Sequence, residues 1–203
     1  MVTLDHDLLL RETNHRCGND LQLVVSLLGL QSRRAASEET RQALNDAMER
    51  VAILARARVS LMRDDQPSLE AALRQICEAL HAHAEPRSIL ISLLVVHEAR
   101  GLSSTQITTV ALVVNELATN AIKHAFEEGE SGHVQVTVGR NAGGGVTVLI
   151  DDDGLPFPDD THASGDGLGL GLAKRLMASI GGLFIPPRAG SKVFELQVPA
   201  ASD

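Results

Sequence analysis

Tryptophan and tyrosine are absent from this chain of 203 residues, and phenylalanine occurs only four times. With so few aromatic side chains, a surface on which single-stranded bases stack is not expected. Basic residues are also in deficit, 18 Lys and Arg against 26 Asp and Glu, for a formal net charge of −8. A nucleic-acid binder carries the reverse, a basic stripe, so no nucleic-acid partner is expected. Cysteine is rare: Cys17 and Cys77 lie in helical patterns with no CxxC spacing, and read as reduced thiols rather than a disulfide or zinc framework. Long apolar runs are missing too. Ile89–Val96 is among the longest, far short of the ~20 residues a membrane span needs. The opening Met1-Val-Thr-Leu-Asp-His-Asp7 has no basic segment leading into an apolar one, so no export is expected and the chain is expected to be cytoplasmic. What is present is globular in composition, 44% hydrophobic and 22% charged, in a length that allows one domain or two small ones.

The first third is helical in pattern. Leu21, Val24, Val25 and Leu28 follow i, i+3, i+4, i+7 spacing, and Leu4 and Leu8 extend the stripe backwards, predicting one helix from about Leu4 to Arg34. Ser37 followed by Glu38 and Glu39 is an N-cap with acids in the first turn. In the helix it opens, Leu44, Met48, Val51, Ala55 and Met62 recur at bundle spacing. Two such helices joined by a short link make an antiparallel hairpin with an apolar stripe left over. A second copy would cover it, so a homodimeric four-helix bundle is expected.

Arg63-Asp-Asp-Gln-Pro67 is a polar break ending in proline and sets the expected boundary, 1–65 against 66–203. Beyond it, Ser68–Ala84 and Ser103–Phe126 read as helices, and Ile89–His97 as a strand. Val134–Val138 and Val146–Ile150 read as paired strands around Gly143-Gly-Gly145. Leu170–Ile180 is helical and stops at Gly181-Gly182, and Leu183–Ile185 and Val193–Val198 form a closing hairpin. The expectation is α+β: a helical hairpin followed by a two-layer α/β sandwich with mainly antiparallel strands.

Three stretches in the second part could carry chemistry. In Asn115-Glu-Leu-Ala-Thr-Asn-Ala-Ile-Lys-His-Ala-Phe126, helical spacing gathers Glu116, Asn120, Lys123 and His124 near one face, opposite Leu112, Val113, Leu117, Ala121 and Ile122. An amide oxygen suits magnesium, a lysine suits phosphate, and a glutamate can polarise an attacking group. The pattern alone is equally that of an amphipathic helix with a solvated polar side. Asp151-Asp-Asp-Gly154 follows a strand; a carboxylate there could accept from an exocyclic amine, or simply be a solvated acidic turn. Gly165-Asp-Gly-Leu-Gly-Leu-Gly171 leads into a helix, where alternating glycines let backbone N–H groups approach an anion at the helix N-terminus. It lacks the Gly-Lys-Ser/Thr of a Walker loop, and no short parallel strand feeds it as a dinucleotide fingerprint requires.

In this order the three stretches resemble the ATP-binding domain shared by histidine kinases, gyrase, mismatch-repair ATPases and a heat-shock chaperone. The family's Glu-x-x-x-Asn is matched by Glu116 and Asn120, and its adenine-binding Asp-x-Gly by Asp152 and Gly154. Its phosphate-wrapping lid is matched by Gly165, Gly167 and Gly169, and its late Gly-Thr by Gly190-Ser191. The hairpin narrows the resemblance: Glu12-Thr-Asn-His-Arg-Cys-Gly-Asn-Asp-Leu-Gln22 is similar to the His-Arg-x-x-Asn-x-Leu-Gln phosphoacceptor helix of sensor histidine kinases related to the HWE subclass. The resemblance implies a kinase that uses ATP and Mg2+ to phosphorylate His15 and passes the phosphoryl group to an aspartate of a response-regulator receiver domain. Glu116 would polarise the imidazole, Asn120 would hold magnesium, Lys123 and His124 would contact phosphate, and Asp152 would read adenine. The exposed side of Leu21–Leu30 is the expected surface for the receiver.

The chain departs from that family at Gly18, where a lysine is usual, and at Pro156, where the adenine turn usually has a second glycine. Glycine costs ~1 kcal/mol in a helix interior, and proline forbids positive φ and removes an N–H. No sensor segment precedes the hairpin, so the input signal is expected to come from a separate protein. Two other readings stay open on sequence alone: a histidine phosphotransferase with a remnant ATP domain, and a non-catalytic dimeric module that docks a regulator.

Overall fold

The computed structural model describes residues 21, 23–63, 68–141, 143–155, 168–188 and 191–199. The chain divides into two compact units, Met1–Pro67 and Ser68–Asp203.

The first unit is helical. Helix α1 covers 23–34 and α2 covers Glu38–Arg63; the expected extension of α1 back to Leu4 lies outside the described residues. Ser37 caps α2, its Oγ accepting from the Thr40 N–H at 3.1 Å, as its position before two glutamates predicts. Ser32 Oγ donates to Asn45 Oδ1 at 2.7 Å, and a Cβ added to Gly29 would stand 3.3 Å from Met48 Sδ. Three steps back along α1 match three steps forward along α2, so the helices run antiparallel. Leu21, Val25 and Leu28 are half-buried. Val24, expected on that face, is instead 41% exposed, and with Leu23, Leu27 and Leu30 forms a second apolar stripe open to solvent.

The second unit is a two-layer α/β domain. Helices α3 (Leu69–Ala84), α4 (Ser104–His124) and α5 (Leu168–Ser179) cover one face of a sheet. The sheet comprises β1 (Ile89–Val95), β2 (Gly132–Arg140), β3 (Val146–Asp152), β4 (Leu183–Ile185) and β5 (Phe194–Val198), in the order β1-β2-β3-β5-β4. Only β1 and β2 pair in parallel; the other neighbours are antiparallel. Strand alternation supplies the core: Val134, Val136, Val138, Val146, Val148, Leu196 and Val198 are all fully buried, each contributing about 1.5–3 kcal/mol by removal from water.

Side-chain caps fix where the helices begin. Ser68 Oγ accepts from the Ala71 N–H at 3.3 Å. Ser103 and Gln106 form a reciprocal capping box, Ser103 Oγ accepting from the Gln106 N–H at 3.2 Å and Gln106 Oε1 from the Ser103 N–H at 2.8 Å. Helix α5 stops at Gly181, whose φ is +70°. The Gly182 N–H reaches the Met177 carbonyl at 2.9 Å and the Gly181 N–H the Ala178 carbonyl at 3.1 Å, a Schellman closure that favours glycine. Cys77 is packed in the core, where burial pushes its thiol up to about 11.

Several boundaries differ from the sequence reading. Strand β3 runs on through Asp151 and Asp152 because β2 continues opposite them, pairing Gln135 with Asp151 and Val134 with Asp152. Helix α5 begins two residues earlier than its apolar pattern, at Leu168, so Gly169 is helical. His81 and His133 are half-buried; His133 shares a 2.7 Å hydrogen bond with Ser92 Oγ, and His81 Nδ1 accepts from the Ile91 N–H at 3.4 Å.

Candidate functional site

The site is built around the C-terminal turns of α4. Between Val110 and Ala118 this helix is buried on every side, so Glu116, expected on a solvated polar face, is only 8% exposed. Exposure returns one turn later, where Asn120 is half-buried and Lys123 and His124 are open to solvent. The helix therefore carries its polar residues along a gradient, from a buried carboxylate through a half-buried amide to exposed basic groups.

The end of α4 is held by groups from two other segments. Arg87, in the turn after α3, donates through one guanidinium nitrogen to the Ile122 carbonyl and through another to the Phe126 carbonyl at 3.1 Å. A cation on a helix C-terminus offsets the macrodipole while satisfying carbonyls that have no helical partner. The Leu155 N–H takes a third carbonyl, that of Ala125, at 2.6 Å. Gly154 makes this possible: an added Cβ would lie 2.1 Å from the Ala125 oxygen. Glycine is required here by close backbone approach.

That contact seats the aspartate turn against α4, and strand alternation sorts the three acids. Asp152 falls on the same sheet face as buried Ile150, the face covered by the helices. Asp151 falls on the opposite face and is exposed. Asp153 turns back, its Oδ1 accepting from the His133 N–H at 2.7 Å. Asp152 Oδ1 accepts from the Gly154 N–H at 3.1 Å and stands 4.0 Å from Lys192 Nζ. Burial pushes the Asp152 carboxyl above the usual aspartate range, outweighing the Gly154 hydrogen bond and Lys192, which hold it down.

The structure thus seats the turn that follows Asp152 against Ala125, the residue that caps the helix end carrying Asn120, Lys123 and His124. Gly169 lies in the first turn of α5, which packs against α4. His15, Gly165, Gly167, Gly18 and Pro156 lie outside the described residues. Two site residues had no sequence signal of their own, Arg87 and Lys192. Arg87 acts on carbonyls more than thirty positions away, and Lys192 meets Asp152 only through the β3–β5 register.

Among the described residues, no group of three His, Cys, Asp or Glu side chains could hold a metal ion. No described helix is long and apolar enough to cross a membrane.

Comparison with known proteins agrees with this arrangement. Residues 12–84 match the family described as histidine kinase, and residues 66–181 the histidine kinase-like ATPase domain. The chain is 33% identical over 181 residues to the sensor histidine kinase PdtaS of Mycobacterium tuberculosis, covering 87% of this chain and 36% of that protein. It is 27% identical over 200 residues to the blue-light-activated histidine kinase 2 of Erythrobacter litoralis, covering 95% of this chain and 57% of that one. The chain thus spans little more than a third of the length of PdtaS. In structure it is similar to the histidine kinase domain of the Erythrobacter litoralis EL346 blue-light-activated kinase, with a TM-score of 0.68 at 22% identity, covering 97% of this chain and 94% of that one.

Proposed function

The chain belongs to the histidine kinase family, and from that premise we propose that it transfers the γ-phosphoryl group of ATP to His15 and on to an aspartate of a response-regulator receiver domain. The observation that carries this reading is the seating of the Asp152–Gly154 turn on the end of α4, through Gly154 and the Leu155–Ala125 hydrogen bond. That seating supports a reading in which Asp152 accepts from the adenine amine while Asn120, Lys123 and His124 serve the phosphates.

In the transfer, the bond between the γ-phosphorus and the bridging oxygen breaks, a phosphorus–nitrogen bond forms at the imidazole, and ADP leaves. Catalysis of this kind is mostly positioning and charge neutralisation. Asn120 would hold Mg2+ through its amide oxygen, and the ion would supply charge neutralisation at the phosphates. Lys123 and His124 neutralise phosphate oxygens from the exposed end of the helix. Glu116, buried one turn deeper, polarises the imidazole and accepts its proton. Gly165, Gly167 and Gly169 would offer backbone N–H groups to the phosphates.

The open stripe of Leu23, Val24, Leu27 and Leu30 belongs to a homodimeric four-helix bundle formed with a second copy, and the receiver docks on that bundle near His15. A reaction that consumes ATP belongs in the cytoplasm.

Nucleotide binding tests the reading. A non-hydrolysable ATP analogue should raise the melting temperature in a magnesium-dependent way, by the mass-action stabilisation that any native-state ligand gives. Asn120→Ala should remove the magnesium dependence. A wild-type melting curve that ignores both nucleotide and magnesium would contradict it.

A further inference from the structure

The register between β3 and β5 pairs Ile150 with Phe194. Carried two residues further in the same antiparallel sense, it sets Lys192 opposite Asp152, and Nζ indeed stands 4.0 Å from Oδ1. Ile150 and Phe194 are buried on the helix-covered face, and two-residue alternation keeps Asp152 and Lys192 on that same face. Their side chains are correspondingly withdrawn from solvent, 14% exposed for Asp152 and 24% for Lys192. A lysine ordinarily snorkels its ammonium into water. Holding it this far in keeps a donor next to the carboxylate acceptor that the proposed function assigns to the base.

An adenine presents the complementary pair on adjacent atoms: the 6-amino group donates and ring N1 accepts. Two hydrogen bonds of about 2.9 Å, diverging from adjacent base atoms, reach partners spaced as Asp152 and Lys192 are. We infer that Lys192 is a second base-reading residue, its ammonium donating to N1 of the adenine whose 6-amino group donates to Asp152. The inference rests on the nucleotide-binding reading above and extends it from one polar contact to two. With both contacts the site reads the hydrogen-bonding edge rather than the amine alone. The ion pair holds the two groups in register on one face of the sheet.

The test uses the full chain and three probes: ADP, 1-deaza-ADP, in which the N1 acceptor is a carbon, and 7-deaza-ADP as a control on the far side of the ring. Dissociation constants are measured by calorimetry for wild type and Lys192→Met, with melting curves confirming that both are folded. Wild type should bind 1-deaza-ADP about tenfold more weakly than ADP, as loss of a charge-assisted hydrogen bond implies, and 7-deaza-ADP like ADP. Lys192→Met should bind ADP about tenfold more weakly than wild type does, and should no longer distinguish ADP from 1-deaza-ADP. Wild type binding ADP and 1-deaza-ADP equally would overturn the assignment, and this arm needs no substitution. Lys192→Met that weakens both nucleotides yet keeps the discrimination would also overturn it, reducing Lys192 to a counter-ion of Asp152. If wild type is folded and binds none of the three, the nucleotide site itself falls and the Lys192 assignment with it.

Discussion

The backbone N–H of Leu155 donates to the Ala125 carbonyl at 2.6 Å, fastening the turn after β3 to the residue that caps α4. This bond ties the strand that carries Asp152 to the helix that carries Asn120. A site assembled from two elements 32 residues apart in sequence (Asn120 to Asp152) needs such a link, because a displacement of about 1 Å can cost ~100-fold in rate.

Gly154→Ala tests that link. The new methyl would meet the Ala125 oxygen at 2.1 Å and the Ala125 carbonyl carbon at 2.7 Å, both backbone atoms that cannot rotate away. The turn must lift off the helix. The expected result is about 1–3 kcal/mol of destabilisation in urea, together with loss of ADP binding. An alanine variant with unchanged stability and unchanged affinity would show that the turn is not seated in this way.

Arg87→Ala removes the donors to the Ile122 and Phe126 carbonyls. Leaving such groups unsatisfied costs roughly 1–3 kcal/mol. The loss should concentrate at the end of α4, where amide hydrogen exchange of Lys123–Phe126 should accelerate while that of Val110–Ala118 changes little. Arg87→Lys, which keeps the charge but not the fork, should recover part of the protection. Uniform acceleration along α4 would instead mean global destabilisation with no local role for the guanidinium.

Asp152→Asn separates binding from stability. Burial raises the folded carboxyl above its ordinary value, so the folded state holds the proton more tightly than the unfolded chain does. The sign follows: this group favours folding below its unfolded pKa, and that advantage is lost as pH rises through the folded value. Near neutral pH the ligand-free asparagine variant should therefore have a higher urea midpoint than wild type, and the two should converge in acid. The same substitution should weaken ADP binding about tenfold or more, since an amide cannot replace the charged acceptor. A wild type more stable than the variant at neutral pH would contradict the burial argument.

Much of the fold was legible because it depends on local chemistry. Ser37, Ser68 and Ser103 announce helix starts through their own side chains, and Gly181 announces a stop through its backbone freedom. The alternation in Val134–Val138 names the buried face of its strand without reference to a partner. What was not legible depends on pairing between distant segments. Nothing local tells β3 to continue through Asp152; the ladder with β2 does. The parallel pairing of β1 with β2 and the insertion of β5 between β3 and β4 are likewise set by packing. The candidate site divides in the same way. Glu116, Asn120, Asp152 and Gly154 stand in recognisable motifs, whereas Arg87 and Lys192 acquire their positions only through tertiary contact. The burial of Glu116 was also hidden, because helical spacing shows which face a residue occupies but not that the whole turn is enclosed.

The central claim is that ATP bound beside α4 phosphorylates one imidazole, and incubation with γ-labelled ATP and magnesium tests it most directly. Wild type should take up label that survives base and is lost in acid, the behaviour of a phosphoramidate, while His15→Gln and Asn120→Ala should take up none. Equal labelling of His15→Gln and wild type would contradict the account, as would a folded, nucleotide-bound wild type that takes up no label.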